Sequence, residues 1–336
     1  MKAVAYKKPL AISTPNVFTD IDIEQPIAQG YDLLVEVKAI SINPVDIKMR
    51  LRTAQDNEDW KILGHDAVGV VKAVGEKVTQ FKVGDEVFYA GSNQRSGSYA
   101  EFQLVDERIV GHKPSKLSNA EAAALPLTSI TAYEMLFDRL KIQETKIDQP
   151  SILIIGAAGG VGSIAVQLLK AMTKFKVIAT ASRPESKAWL KNIGADAILD
   201  HGQALDAQIQ ALKLGSIDYV FSINGTEHYS QAIANLIKPQ GHFGLIDDPV
   251  NFVINPFKVK SVTIHWESMF TRSTFQTEDM ARQGEILNQI STLVDQGKIK
   301  TTLNQNLGVI NATNISRAHA FIESGQSIGK IVLEGF

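Results

Sequence analysis

Ser151-Ile152-Leu153-Ile154-Ile155-Gly156-Ala157-Ala158-Gly159-Gly160-Val161-Gly162-Ser163 is the stretch on which the fold turns. Ile152 to Ile155 form an unbroken apolar run, which suits a strand buried on both faces. A Gly-rich turn follows at once, and Val161 to Met172 then places Ile164, Ala165, Leu168 and Leu169 on one helical stripe. Strand, turn and helix in that order present backbone amides and the positive end of a helix dipole to an anion such as a pyrophosphate. The strict G-x-G-x-x-G spacing is broken at its first place by Ala157, while Gly159 and Gly162 keep the second and third. Gly156, Ala157, Ala158, Gly159, Gly160, Val161 and Gly162 are therefore the candidate pyrophosphate loop, and an ordinary tight turn is the alternative.

Outward from this stretch the unit repeats. Lys176 to Ala181 reads as a second strand, Pro184 to Ile193 as a helix with Pro in its first turn and Gly194 at its end, and Ala197-Ile198-Leu199 as a third strand. Ile217 to Ile223, His242 to Ile246 and Ser261 to Trp266 supply three more, so residues 124–267 read as a Rossmann-like α/β domain with a doubly wound, parallel six-stranded sheet. Residues 1–123 read differently. Leu33 to Ile40, Ala67 to Val74 and Val83 to Phe88 are short strands punctuated by Gly64, Gly69, Gly75, Gly84, Gly91 and Gly97, the pattern of a small β-barrel or sandwich with few helices. Residues 268–336 carry one strong helix, capped by Thr277 with Glu278 and Asp279 in its first turn and closed by Gly297, and a last strand from Lys330 to Leu333. A tail that returns to strands is expected to rejoin the first domain.

The second strand of the α/β block selects the cofactor. A site for NAD(H) places an acid about 20 residues beyond the last Gly to hold the ribose hydroxyls. Here Thr180-Ala181-Ser182-Arg183 ends the strand, with Lys187 one turn into the next helix. A hydroxyl, a guanidinium and an ammonium attract a 2′-phosphate that a carboxylate would repel, so Ser182, Arg183 and Lys187 point to NADP(H). Ligands of such sheets lie beyond the carboxyl ends of the strands, which adds Asn224, Ile246 and Asp247 to the cofactor site; Phe270 and Thr271 follow the sixth strand and are placed to line it.

Composition narrows the chemistry. The 336 residues include no cysteine, and 34 basic residues stand against 36 acidic ones, a formal charge of −2. Disulfides, thiolate metal sites and a Cys nucleophile are excluded, and near neutrality argues against a broad nucleic-acid-binding face. The first thirty residues hold no apolar core of signal-peptide length and no run approaches membrane-spanning length, so the expected location is the cytoplasm, with no membrane or nucleic-acid partner.

Separate motifs then carry a resemblance that covers nearly the whole chain. Ser41-Ile42-Asn43-Pro44-Val45-Asp46, Leu63-Gly64-His65-Asp66-Ala67-Val68-Gly69 and Phe81-Lys82-Val83-Gly84-Asp85-Glu86-Val87 resemble the medium-chain dehydrogenase/reductase superfamily. The Gly-rich loop and Ser182-Arg183 are similar to its NADPH-dependent quinone oxidoreductase branch. Pro126 to Tyr133, Ala179 to Ser186 and His265 to Ser273 look like its bacterial zinc-type alcohol dehydrogenase-like group. The resemblance implies a GroES-like β-barrel catalytic domain beside the Rossmann domain, with the cofactor in the cleft between them. It also implies a homodimer joined through the sixth strands. In zinc-dependent members a Cys, a His and a third Cys or acid hold the catalytic metal; here Asn43 and His65 match the first two places, and the lobe for structural zinc is missing. His65 with Asp46 or Asp66 lacks an evident third ligand, so the expectation is a site without zinc.

Without a metal to polarise it, an isolated ketone is a poor hydride acceptor, whereas quinones and α,β-unsaturated carbonyls spread the arriving charge over a conjugated system. The expected activity is therefore NADPH-dependent reduction of a small quinone or enone. Asn43, His65 and Asp46 are the candidate catalytic residues, with the Asn43 amide as a donor beside the nicotinamide. By the same resemblance Thr131 matches a hydroxyl near the nicotinamide, and His201 stands where an aromatic packs at the adenosine phosphate end. Two other readings stay open: an alcohol dehydrogenase with a cysteine-free zinc site, and a non-catalytic NADPH-binding sensor or crystallin-like protein.

Overall fold

A computed structural model describes all residues, 1–336. The chain forms two compact units, Met1–Ile130 with Phe270–Phe336, and Thr131–Met269.

The second unit is the Rossmann-like one. Its six strands are all parallel and lie in the order Ala197–Leu199, Lys176–Thr180, Ser151–Ile155, Ile217–Ser222, Ile237–Leu245 and Thr263–Trp266. The chain therefore starts in the middle, winds to one edge, then returns and winds to the other, the strand order of a dinucleotide-binding sheet. Every residue of Ser151–Ile155 is buried, as an apolar run covered on both faces requires. Leu153, Ile178, Val220, Phe243 and Leu245 of the sheet pack with Leu205, Ile209 and Ile233 of its helices in one core. The sixth strand begins at Thr263 rather than Ser261, because Ser261 has φ 51°, outside the extended region a strand needs. That strand is the sheet's edge.

The first unit is built on one long strand, Asp32–Ile42. It pairs antiparallel with Asp66–Val74, Phe102–Asp106 and Lys330–Glu334, so a strand from beyond the Rossmann-like unit lies beside one from before it. Gly69 is required where the first two strands meet, since a Cβ there would run into the Glu36 carbonyl and the Val35 side chain. Helix content is higher than the sequence suggests: Asn43-Pro44 opens a helix, Pro44–Arg52, with Asn43 as N-cap in an extended conformation and Pro44 at the first turn. The strong C-terminal helix begins at Arg282, later than Thr277. Thr277 instead donates its hydroxyl to Asp279 at 2.6 Å, and Asp279 is drawn to Arg272 at 2.9 Å, so these residues form a turn ahead of the helix.

Candidate active site

The loop after Ser151–Ile155 is shaped by what its glycines lack. Gly156 has φ 78°, and a Cβ there would collide with the Asn224 amide. Its N–H donates to Thr180 Oγ1 at 3.1 Å, which ties the loop to the neighbouring strand. A Cβ on Gly162 would strike the backbone of Ala157, so the turn and the helix Gly160–Met172 pack closer than any larger residue permits. The absent Cβ of Gly159, by contrast, meets nothing nearer than the Gly156 carbonyl at 3.7 Å. The first-turn amides of Gly160, Val161 and Gly162 have no intrahelical partner by the geometry of any helix start, and the dipole adds positive potential there. Ala157 at the first fingerprint position is fully buried, with Ala158 beside it in the turn. The cradle fits a dinucleotide pyrophosphate.

Around it the structure divides the remaining candidates. Thr180 is buried and its hydroxyl accepts the Gly156 amide, which leaves Ser182 as the exposed hydroxyl of the segment. Arg183 is the half-buried N-cap of the helix Pro184–Asn192. Lys187 Nζ lies 3.0 Å from Asp200 Oδ2, a partner that sequence reasoning did not anticipate. The Lys187 ammonium, helped by the Gly202 amide, holds the Asp200 carboxyl below its ordinary value. His201 follows in the same turn, and its carbonyl accepts from the Tyr229 hydroxyl at 3.4 Å. Asp247 accepts from the Thr226 amide at 2.8 Å and from the Thr226 hydroxyl, so it caps the helix Thr226–Leu236. Ile246 donates its N–H to the Ser222 carbonyl at 3.3 Å. Thr131 is buried in the helix Pro126–Tyr133.

The catalytic candidates lie in the first unit within a dry polar cluster. Asn43, Asp46, His65 and Asp66 are each no more than 2% exposed. Asn43 Nδ2 donates to Asp66 Oδ2 at 2.8 Å, and Asn43 Oδ1 is bonded by the Lys330 ammonium. Lys330 Nζ also reaches Asp66 Oδ2 at 2.9 Å and the Ile42 carbonyl at 3.1 Å. Asp66 completes its set with the Ser41 hydroxyl at 2.7 Å and, on its other oxygen, the Leu127 amide at 2.7 Å at the start of the helix Pro126–Tyr133. The Asn43 amide, expected to face a substrate, is thus held within the cluster. Lys330 escaped sequence reasoning because it reads only as the first residue of a strand.

His65 lies against the helix that Asn43 caps. Its Nε2 lies 3.0 Å from Met49 Sδ and 3.8 Å from Asp46 Oδ1, and its ring packs on Phe270 with centroids 4.7 Å apart. Thr271 opens the short helix that follows Phe270. Burial pushes His65 down to about 4, so the imidazole is neutral at pH 7. Burial likewise pushes the Asp46 carboxyl up to about 7, against the pull of the Asn43 amide at 2.7 Å. In the unfolded chain Asp46 ionises near 3.8, so between pH 4 and pH 7 the folded state holds a proton that the unfolded state has released. Stability from this group is present below pH 4 and declines as pH rises toward 7. Asp46→Asn is therefore expected to raise stability by about 1–3 kcal/mol at pH 8, with the gain shrinking toward pH 4; thermal melts across that range check it, and a gain independent of pH would refute the assignment.

The same cluster decides whether zinc fits. Asp66 and Asn43 offer their oxygens to an ammonium, and His65 directs Nε2 at a thioether. No group of three or more His or acidic side chains in the chain is arranged to hold a metal ion. The residues present do not supply the three protein ligands of a catalytic zinc.

A parallel dinucleotide-type sheet joined to a unit built on antiparallel strands, with a buried cluster in the latter, defines an oxidoreductase of the medium-chain dehydrogenase/reductase superfamily. Residues 29–115 match the family described as alcohol dehydrogenase GroES-like domain, and residues 193–333 that described as zinc-binding dehydrogenase. The chain belongs to the zinc-type alcohol dehydrogenase-like proteins: it is 39% identical over 339 residues to the member so named in Staphylococcus epidermidis, covering 99% of both chains. A solved structure from Rhizobium etli, provisionally named a zinc-dependent alcohol dehydrogenase, shares 55% identity with a TM-score of 0.97 over 100% of this chain and 98% of that one. A 2-methylene-furan-3-one reductase of Solanum lycopersicum is 29% identical over 342 residues, 99% of this chain and 79% of that one. No helix is long and apolar enough to cross a membrane.

Proposed function

We propose that the protein is an NADPH-dependent reductase that delivers hydride to quinones or α,β-unsaturated carbonyls without a catalytic metal. The observation that carries this reading is the Lys330 ammonium bonded to Asn43, which matches the first zinc-ligand place of the family, and to Asp66, the neighbour of His65 at the second. A substrate that supplies its own conjugated electron sink needs no Lewis acid. The bound cofactor supplies the hydride; the chain's part is to hold it and to shape a dry wall for the acceptor. The amides at the start of Gly160–Met172 take the pyrophosphate, and Ser182 and Arg183 take the 2′-phosphate, with Lys187 neutralising Asp200 beside them. Asn43 acts as a positioning residue, and the neutral His65 with Phe270 forms an apolar face suited to a conjugated ring. The proton that completes reduction comes from water. The enone-related name of the tomato relative supports the substrate class.

The family description favours a second reading, an alcohol dehydrogenase that binds zinc through unusual ligands. Metal analysis of protein purified without added zinc separates the two. The expected result is substoichiometric zinc and turnover indifferent to chelators; one tightly held zinc per chain whose removal abolishes turnover would reverse the choice. NADPH consumption with menadione, methyl vinyl ketone, benzaldehyde and, in the oxidative direction, ethanol tests the substrate class, and no consumption with any of them would favour a cofactor-binding sensor. We further propose a homodimer formed along the open edge Thr263–Trp266, where Trp266 is 54% exposed, in a cytoplasmic setting consistent with a cysteine-free chain.

A further inference from the structure

Lys330 is 4% exposed, and an ammonium taken out of water is strongly unfavourable unless its hydrogens are all bonded. It has three hydrogens and meets three oxygens: the carbonyl of Ile42, the amide oxygen of Asn43 and the carboxylate of Asp66. These come from the end of Asp32–Ile42, the cap of Pro44–Arg52 and the start of Asp66–Val74, while Lys330 itself opens the last strand. One cation thus ties together three separate stretches of chain, Ile42-Asn43, Asp66 and its own strand.

We propose that Lys330 is the positioning residue of the catalytic unit, an internal cation that organises Asn43 and Asp66 as a bound metal would, and that turnover depends on it. The proposal rests on the metal-free reductase reading above. Its route to the reacting face runs through Asn43. With Oδ1 fixed on the ammonium, Nδ2 is turned to Asp66 at 2.8 Å and the Ser41 carbonyl at 3.4 Å, and the backbone N–H of Asn43 starts the helix by donating to Asp46 at 2.7 Å. That helix carries Met49 to its 3.0 Å contact with His65, whose ring packs on Phe270. Releasing Asn43 therefore lets the start of the helix and the His65 wall shift together.

The test separates position from mere charge balance. Lys330→Met strands the Asp66 carboxylate and is expected to lower the thermal midpoint; the double variant Lys330→Met with Asp66→Asn removes the stranded charge and is expected to recover most of the midpoint. Both should turn over menadione at least tenfold more slowly than the parent, with the KM for NADPH within threefold. A double variant with recovered midpoint and parental kcat would overturn the proposal, since Lys330 would then be only a counter-charge. Should neither variant fold, cobalt(II) added to the unmodified protein decides: no ligand-field absorption and no shift in midpoint is expected, and stoichiometric binding would show that a metal takes the place assigned to Lys330. If the unmodified protein consumes no NADPH with menadione or methyl vinyl ketone, the reductase reading fails by itself, and the cobalt titration still judges the cation.

Discussion

Asp66→Ala is expected to lower the stability of the catalytic unit by about 3–5 kcal/mol, the cost of breaking a buried ion pair from one side. The carboxylate accepts from the Lys330 ammonium, the Ser41 hydroxyl, the Asn43 amide and the Leu127 amide, so its removal takes one acceptor from each of four buried donors and the counter-charge from the ammonium. A thermal midpoint lower by on the order of 10 °C is the corresponding readout for a unit of this size. Asp66→Asn retains an acceptor for Leu127 but not the charge, and should fall between alanine and the parent. A loss below about 1 kcal/mol for alanine would mean that the freed ammonium turns out to water, and the cluster would then be far less rigid than its burial indicates.

The second large effect concerns cofactor choice. Arg183→Ala is expected to weaken NADPH by about 1–3 kcal/mol, the range for hydrogen bonds to charged groups, while NADH changes little. The structure sharpens the reason. Asp200 is an acid close to this segment, and it would oppose a 2′-phosphate were its charge not spent on Lys187 at 3.0 Å. Lys187→Ala should therefore act in the same direction as Arg183→Ala, both by deleting a cation and by releasing a repelling carboxylate. Equilibrium titration of each variant with both cofactors checks this; equal losses for NADPH and NADH would remove the 2′-phosphate from these residues.

Sequence pattern was sufficient where local chemistry decides the outcome. The apolar run Ile152–Ile155, the glycines that follow it and the Pro184 and Gly194 that bracket the next helix each determine their own surroundings, so the alternating strands and helices of the Rossmann-like unit were readable in order. What escaped were partnerships between distant residues. Lys330 and Asp66 are 264 positions apart, and nothing at either end of that interval signals the other. Lys187 is read in the sequence only against a 2′-phosphate because Asp200 arrives 13 residues later, past the rest of the helix and the strand Ala197–Leu199. Asn43 stood out in the sequence, but its hydrogen-bond partners did not, since an amide that donates to a substrate and one locked between a carboxylate and an ammonium have the same spelling. The delayed start of the helix at Arg282 has a local cause, yet it turns on Thr277 preferring the Asp279 carboxylate to a helix amide, a competition that capping rules do not settle.

The discontinuous course of the catalytic unit has a consequence for biosynthesis. Its segment Met1–Ile130 leaves the ribosome before the whole of the Rossmann-like unit, and its closing strand Lys330–Glu334 leaves after it. The Rossmann-like unit is continuous in the chain and can complete itself during translation. The earlier segment must wait with Asp66 lacking its counter-charge and the flank of Asp32–Ile42 uncovered until Lys330–Glu334 arrives. The nascent chain is thus exposed to chaperones and proteases in the segment that precedes the Rossmann-like unit, and a premature stop shortly before Lys330 would leave a finished nucleotide unit attached to a catalytic unit without its cation.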